Sequence, residues 1–338
     1  MTRSSNYNLA AKIATAVLLV AMFTAGYGIR MITEGPEAPH TQIRLEGYRF
    51  TQPLLECEVA HPSHNGHPDM GPFRDIIQDV VDEHVADRSV RTVALYFRDL
   101  TSSTWFGINE QVKFPLASLM KVPLMISVLK RSEQDPALLQ RRIRYAGGED
   151  LHRFQHVRPE KVLQSGRSYT VDDLVSRMII YSDNDAALLL ADTFGMSSLN
   201  DTLGSLRLPM DAGTTVAHMT VRNYTAFFRV LYNASFLNHA LSERALGYLA
   251  RSTFTGGIRS GLPKGLSVAS KFGEYSEGVY HLGEFGIVYY PDHPYLLGVV
   301  AEGGSTDSTA HVIHEISKAI YEEMQRQHKG EKRNGLQG

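Results

Sequence analysis

The sequence predicts an α+β fold in which a block of helices is inserted into a sheet. Three observations predict it. Two strand-like runs, 92–99 (TVALYFRD) and 103–109 (STWFGIN), stand close together and are joined by a short polar turn. A mostly helical stretch then extends to about residue 260. Three more strand-like runs, 266–275, 279–290 and 294–302, follow with turns at Glu277-Gly278 and Pro291-Asp292-His293, and a helix at 308–326 closes the domain. Two strands, inserted helices, three strands and a last helix describe a split sheet rather than a parallel one. No internal repeat is visible.

Composition narrows the function classes. The 338 residues, 43 % hydrophobic and 21 % charged, suffice for one large catalytic domain or two small ones. A net charge of −2 without aromatic–basic interleaving gives no footprint for nucleic acid. One cysteine, Cys57, excludes an internal disulfide and a C-x-x-C metal site.

The elements follow in chain order. Residues 13–29 carry no charge, with Arg3 and Lys12 before them and Arg30 after. That length is at the short limit for a membrane span and beyond the usual signal-peptide core. No clean A-x-A site or lipid-accepting cysteine follows. Residues 1–30 therefore read as a cytoplasmic amino terminus and an uncleaved signal anchor, with a cleaved secretory signal as the alternative. Either places the bulk of the chain outside the cytoplasmic membrane, in the periplasm or at the cell exterior. Residues 31–72, rich in Pro, Gly and His, read as an extracytoplasmic linker with one strand or packed segment around Tyr48–Val59. The catalytic domain is expected over 73–326. It opens with an amphipathic helix at 73–86 whose Phe73, Ile76, Ile77, Val80 and Val81 share a face. Thr170, with Asp173 three residues on, starts a capped helix that runs to Tyr181. Residues 327–338 read as a disordered tail.

Three short motifs carry the chemistry: Ser118-Leu-Met-Lys121, Ser182-Asp-Asn184 and Lys271-Phe-Gly273. A serine nucleophile needs a base, a proton relay to its leaving group, and a cation for a substrate carboxylate. Alone each motif is weak, and Ser127-Val-Leu-Lys130 and Ser198-Leu-Asn200 repeat two of the patterns. Helical geometry separates them. The apolar run 116–131, with Pro115 ahead and Pro123 near its start, predicts a helix beginning close to Ser118. Nine residues at about 100° each put Ser127 on the face opposite Ser118. Lys121, three residues on, reaches back over Ser118.

The set S-x-x-K, S-D-N and K-T-G marks class A β-lactamases and penicillin-binding proteins. From about Phe73 to Met324 the chain resembles these penicillin-recognising serine hydrolases, closest to the class A β-lactamase branch. FPLASLMKVPLM around Ser118, YTVDDLVSRMIIYSDNDAALLLAD around Ser182, TGGIRSGLP at 255–263, SKFGEY around Lys271 and GIVYYP at 286–291 carry the similarity. The resemblance implies a five-stranded antiparallel sheet flanked by the terminal helices, beside an all-helical lobe, with the active site between them. It casts Ser118 as the nucleophile that forms an acyl-enzyme and Lys121 as its base or orienting group. Ser182 would pass a proton to the leaving nitrogen, Asn184 would hold the substrate amide, and Lys271 would bind the carboxylate. Backbone N–H groups of Ser118 and Glu274 would form the oxyanion hole, with Gly273 keeping the strand edge open. Substrates implied are β-lactams or D-Ala-D-Ala stem peptides, with no cofactor and no metal.

The chain departs from the family pattern twice. Phe272 stands where the family usually has Thr or Ser, which removes a hydroxyl from the carboxylate site. Lys271 follows Ser182 by only 89 residues, and 206–222, where a glutamate-bearing Ω loop belongs, contains no Glu. Asp211 is its only carboxylate. Slow deacylation is the expectation, with a peptidoglycan D,D-carboxypeptidase or endopeptidase as one alternative and a catalytically silent, peptide- or partner-binding domain as another. His61, His64 and His67 read as a polar spacer rather than a metal site, His311 and His314 as surface residues of a helix. Phe154 and His156 stand where the family often flanks its cleft.

Overall fold

The computed structural model describes residues 48–52, 70–211 and 216–334. The uncharged stretch 13–29, the histidines at 61, 64 and 67, and Cys57 lie outside the described residues. Among the described residues, no helix is long and apolar enough to cross a membrane.

Helix α1 (Gly71–Ala86) has Pro72 in its first turn, where a missing N–H costs nothing, and buries Phe73, Ile77 and Val81. Strands β1 (Val90–Asp99) and β2 (Trp105–Ile108) form a hairpin, and β3 (Lys113–Pro115) leads into a 3-10 turn, Ala117–Met120. Then come α2 (Lys121–Gln134), β4 (Arg142–Arg144), β5 (Ser168–Thr170), α3 (Val171–Ile180) and α4 (Asn184–Ser205). β6 (His218–Thr220), α5 (Val221–Tyr232) and α6 (His239–Ala250) complete the inserted lobe. Strands β7 (Val268–Glu277), β8 (Val279–Val288) and β9 (Tyr295–Gly303) precede α7 (Thr306–Asn334).

The five long strands make one antiparallel sheet in the order β2-β1-β9-β8-β7. The expected α+β architecture is thus formed, with β7 as a free edge facing the helical lobe. Alternation sends successive side chains to opposite faces. Ala94 and Tyr96 join the core shared with the lobe, while Val93, Leu95 and Phe97 join a second core under α1 and α7. Two three-residue pairings, β3 with β6 and β4 with β5, escaped the sequence reading.

One expectation changes and another narrows to one of its two alternatives. Residues 327–334, expected in a disordered tail, continue α7 as helix. The last turns are bonded to their own helix, Gln325 to Tyr321 and Gln327 to Glu323, and the His328 ring stacks on His293 at 3.5 Å. Within Tyr48–Val59, the described part, 48–52, is a packed segment without strand pairing. The Glu243 carboxylate accepts from Arg49 N, Phe50 N and Thr51 N at 2.7–2.9 Å, and Tyr289 donates its hydroxyl to Phe50 O.

Candidate active site

Ser118 lies in the 3-10 turn, and α2 begins only at Lys121. The helix was expected to start close to Ser118; the tighter turn matters because side chains three apart eclipse in it. Lys121 Nζ accordingly sits 3.0 Å from Ser118 Oγ. The turn is fastened by Leu116 N to Ala217 O at 2.8 Å and by the buried Tyr224 hydroxyl to Leu119 O at 2.7 Å. The competing serine and lysine go elsewhere: Ser127 is buried against Ser198, and Lys130 binds Glu133 and Phe236 O. Ser198, of the second S-x-N pattern, is occupied by that contact with Ser127.

The S-D-N motif sits where α3 ends and α4 begins. A capping box of Thr170 and Asp173 starts α3 as expected. Ser182 adopts φ 57°, a left-handed conformation that costs a non-glycine residue roughly 1–3 kcal/mol and is held by its surroundings. Its carbonyl accepts from Lys121 Nζ at 2.7 Å and from Gln155 Nε2 at 3.1 Å. Asp183 Oδ1 caps α4 through the amides of Asp185 and Ala186. Asn184 points its carbonyl at Lys121 Nζ, 2.7 Å, because its amide nitrogen donates to Leu151 O.

Lys121 is thus ringed by two pure acceptors, Ser182 O and Asn184 Oδ1, and by the hydroxyls of Ser118 and Ser182 at 3.0 and 3.1 Å. A neutral amine has two N–H bonds and one lone pair. It satisfies both acceptors and leaves the lone pair for a hydroxyl proton. Burial drives the group that way, lowering the lysine to about 7 against the opposing pull of Asp183 and Glu274.

Strand β7 supplies the opposite wall. Lys271, wholly buried, donates to Ser182 Oγ at 3.0 Å and to Phe272 O at 2.8 Å. Burial first and Lys121 second hold its ammonium well below the usual lysine range. Ser182 Oγ therefore bridges both lysines. Gly273 has a steric reason: a Cβ there would stand 2.8 Å from Leu119 Cγ and 2.9 Å from Leu119 N, so only glycine lets β7 approach the nucleophile turn. Phe272 is buried in the second core, stacked on Phe254 at 4.2 Å, with the Lys271 ammonium 4.3 Å from its ring centroid. Beyond the missing hydroxyl, this side chain is committed to packing.

Other participants are invisible to motif reading. The Glu274 carboxylate accepts from His156 N, Val157 N and Tyr280 Oη at 2.8, 3.0 and 2.6 Å, and so ties the 151–157 loop to β7. His152 and Gln155 on that loop form a chain to Ser182: Asp185 to His152 Nε2 at 3.1 Å, His152 Nδ1 to Gln155 Oε1 at 2.8 Å, then Gln155 to Ser182 O. Glu284, buried and with its carboxyl raised by burial, accepts from Ile258 N and Ser270 Oγ and faces Lys271 electrostatically. His156 reaches Tyr280 edge-on at the cleft, whereas the Phe154 side chain lies outside the described ones. Asp211 is placed in a surface ion pair with Lys113, 3.4 Å, and in a backbone bridge with His218.

Beside Ser118 a cavity of about 420 Å³ opens between α4 and the residues Met210 and Ala217. Lys121 and Asn184 stand at its head, and its walls include Leu199, Met210 and Ala217. Among the described residues, no carboxylate lines it.

A split sheet with these three motifs at its β7 edge defines a penicillin-recognising serine hydrolase fold of class A type. The sequence profile of the beta-lactamase enzyme family matches residues 72–324, and the chain belongs to that family. It is 30 % identical over 237 residues to the carbapenem-hydrolyzing beta-lactamase KPC of Klebsiella oxytoca, covering 64 % of this chain and 78 % of that one. Beta-lactamase L2 of Stenotrophomonas maltophilia is 35 % identical over 97 residues, 29 % of this chain, and the match spans only 31 % of the L2 enzyme. Among solved structures, PBP-A superposes with a TM-score of 0.63 at 20 % identity, covering 75 % of this chain and 96 % of PBP-A, a likeness of fold.

Proposed function

We propose that the chain is an acyl-transfer hydrolase in which Ser118 attacks β-lactams or D-Ala-D-Ala peptides and forms an ester acyl-enzyme that β-lactams leave slowly. One observation carries this reading: Lys121 Nζ touches both hydroxyls while two pure acceptors occupy its N–H bonds. As Ser118 Oγ bonds to the carbonyl carbon, its proton passes to the Lys121 lone pair. The oxyanion is met by the backbone N–H groups of Ser118 and Glu274. When the C–N bond breaks, Ser182 gives its proton to the leaving nitrogen and recovers one from Lys121, 3.1 Å away. Lys271 binds the substrate carboxylate, and Asn184 holds its amide.

Deacylation needs a second base for water. Among the described residues the wall beside Ser118 is apolar and Asp211 is paired at the surface, so Lys121 is the base in contact with Ser118. General-base help is typically worth about 10²–10⁴-fold, and without a dedicated carboxylate the penicilloyl ester persists. D,D-peptidase chemistry is therefore the native activity this reading favours over β-lactam turnover. Intact-mass spectrometry after mixing with a penicillin tests both steps. A lasting adduct, absent in Ser118→Ala, is expected. No adduct at any pH sinks acyl transfer and leaves the binding-only alternative, and rapid complete hydrolysis sinks the slow second step. The uncharged 13–29 stretch supports a membrane-anchored protein with its catalytic domain outside the cytoplasm. Recovery of the full chain in the soluble fraction would count against that.

A further inference from the structure

A second cavity, of about 680 Å³, lies along the carboxyl-terminal half of α6 and shares no residue with the one beside Ser118. Four arginines line it from three parts of the chain: Arg49 in the packed segment 48–52, Arg244 and Arg251 in α6 and at its C-cap, and Arg259 in the 3-10 turn Ile258–Gly261. One cation at the end of a helix satisfies its last carbonyls, and four exceed that need. Among the described lining residues Asp172 is the only carboxylate; its Oδ1 accepts from Arg244 at 2.8 Å and from the Tyr248 hydroxyl. The other three arginines meet neutral acceptors. Arg49 Nη2 donates to Ser267 Oγ at 3.1 Å, Arg251 Nε to Gly247 O at 3.1 Å, and Arg259 Nη2 to Val268 O at 2.8 Å. A guanidinium has five N–H donors, so each keeps donors for a further partner. Arg259 Nε is buried and, among the described residues, has no acceptor, an unmet demand that an anion in the cavity would relieve.

We propose that this cavity is a binding site for a phosphate ester, separate from the hydrolase centre and independent of the chemistry at Ser118. Its charge calls for an anion, and the number of guanidiniums selects among anions. A carboxylate presents two oxygens in one plane, which a single arginine fork satisfies. A phosphate group presents acceptors on several sides and suits guanidiniums arranged around one cavity. The organic part of the ester has apolar wall to rest on: the Phe50 and Tyr248 rings lie 5.1 and 5.4 Å from the Arg49 and Arg251 guanidiniums, and Leu266 lines the cavity with them. The volume falls in the range of small-molecule sites. Arg49 precedes residues 72–324, the stretch the family profile matches, so one wall of the site comes from outside the shared domain. A bound phosphate would tie segment 48–52 to α6 and to the turn before β7.

Calorimetric titration of the full chain in phosphatidylcholine nanodiscs tests the site, with sn-glycerol 3-phosphate as the monoester probe and glycerophosphoglycerol as the diester. At least one is expected to bind, more weakly as salt is raised. Arg49 and Arg251 are exposed, so Arg49→Gln and Arg251→Gln should melt as wild type does without ligand. Each should weaken the probe by roughly ten- to a hundredfold, the loss of charge-assisted hydrogen bonds. Repeating the titration in discs that contain phosphatidylglycerol separates two sources of the phosphate. Unchanged affinity there identifies a free ester as the ligand, and displacement of the probe, abolished in Arg251→Gln, identifies a lipid headgroup; either upholds the site. Failure of both probes to bind in neutral discs, affinity unchanged in both variants, or succinate bound as tightly as the phosphates overturns it. None of these readings depends on whether Ser118 forms a penicillin adduct.

Discussion

Replacing Lys121 by arginine keeps a cation, an unbranched stem and N–H donors for Ser182 O and Asn184 Oδ1, but removes the lone pair. Burial lowers Lys121 from 10.5 to about 7. At 1.36 kcal/mol per unit that is about 5 kcal/mol of preference for the neutral amine. At pH 7 about half of the molecules then carry the base form, against about 0.03 % for an unperturbed lysine, a gain on the order of 10³. Because the neutral form is the base, acylation must rise with pH. Labelling by a fluorescent penicillin, followed by quenched time courses from pH 5 to 9, should show a tenfold rise per pH unit below about 7 and a plateau above it. Arginine stays protonated throughout, so Lys121→Arg should lose at least 10³-fold at the plateau and lose the pH dependence with it. Lys130→Ala, which removes contacts to Glu133 and to the carbonyl and ring of Phe236, all away from Ser118, should keep the wild-type profile. Lys121→Arg acylating within tenfold of wild type, or a flat wild-type profile, would refute the assignment of the base.

Gly273→Ala places a Cβ 2.8 Å from Leu119 Cγ and pushes β7 off the nucleophile turn; acylation should fall about 100-fold in the same labelling assay, and the forced shift should cost about 1–3 kcal/mol of stability. Phe272→Thr restores the family's hydroxyl but removes the ring from its stack on Phe254, so urea unfolding should show a loss of about 3 kcal/mol and no tighter binding of a carboxylate ligand. Gln155→Leu takes one donor from Ser182 O and should slow acylation about tenfold at saturating substrate, leaving half-saturation nearly constant. Lys121→Met should be stabilising chiefly at low pH. The folded value near 7 lies below the unfolded 10.5, so the wild type's burial penalty is full below pH 7 and fades as pH rises toward 10.5; the variant's advantage at pH 6 should exceed that at pH 9 by about 3 kcal/mol in denaturant titrations.

What was legible in the sequence is what local periodicity and fixed chemistry dictate. The nine-residue offset separated Ser118 from Ser127, and the structure buries Ser127 against Ser198 as a face argument requires. The capping box at Thr170 and the five strands were likewise written in short-range pattern. The 3-10 turn was not, because a spacing of three serves a 3-10 turn and an α-helix alike. Gln155 acts on Ser182 from 27 residues away and Glu274 on His156 from 118, and no periodicity encodes such pairs. The Glu274 carboxylate acts through His156 N, Val157 N and Tyr280 Oη, and a strand position specifies the backbone but not such loop contacts. Three-residue strands such as β4 and β5 are too short for propensity to register.

Two lysines buried beside one hydroxyl raise the question of how the domain holds them. Ser182 Oγ lies 3.1 Å from Lys121 Nζ and 3.0 Å from Lys271 Nζ, so two full charges would face each other across a single oxygen in a poorly polarisable interior. Burial lowers both, and Lys121 lowers Lys271 further, while Glu274 opposes the fall of each and Asp183 and Glu284 of one apiece. Before substrate arrives, the site therefore carries less positive charge than its formula suggests. A substrate carboxylate arriving at Lys271 changes that balance: an anion at contact distance favours the ammonium and offsets its desolvation. A recharged Lys271 in turn disfavours the ammonium form of Lys121 by repulsion and so keeps its lone pair for Ser118. On this reading the carboxylate shared by β-lactams and D-Ala-D-Ala peptides does more than anchor the substrate. It sets the protonation state in which the base can work, and an amide lacking that carboxylate meets a site with its two lysines in the wrong balance.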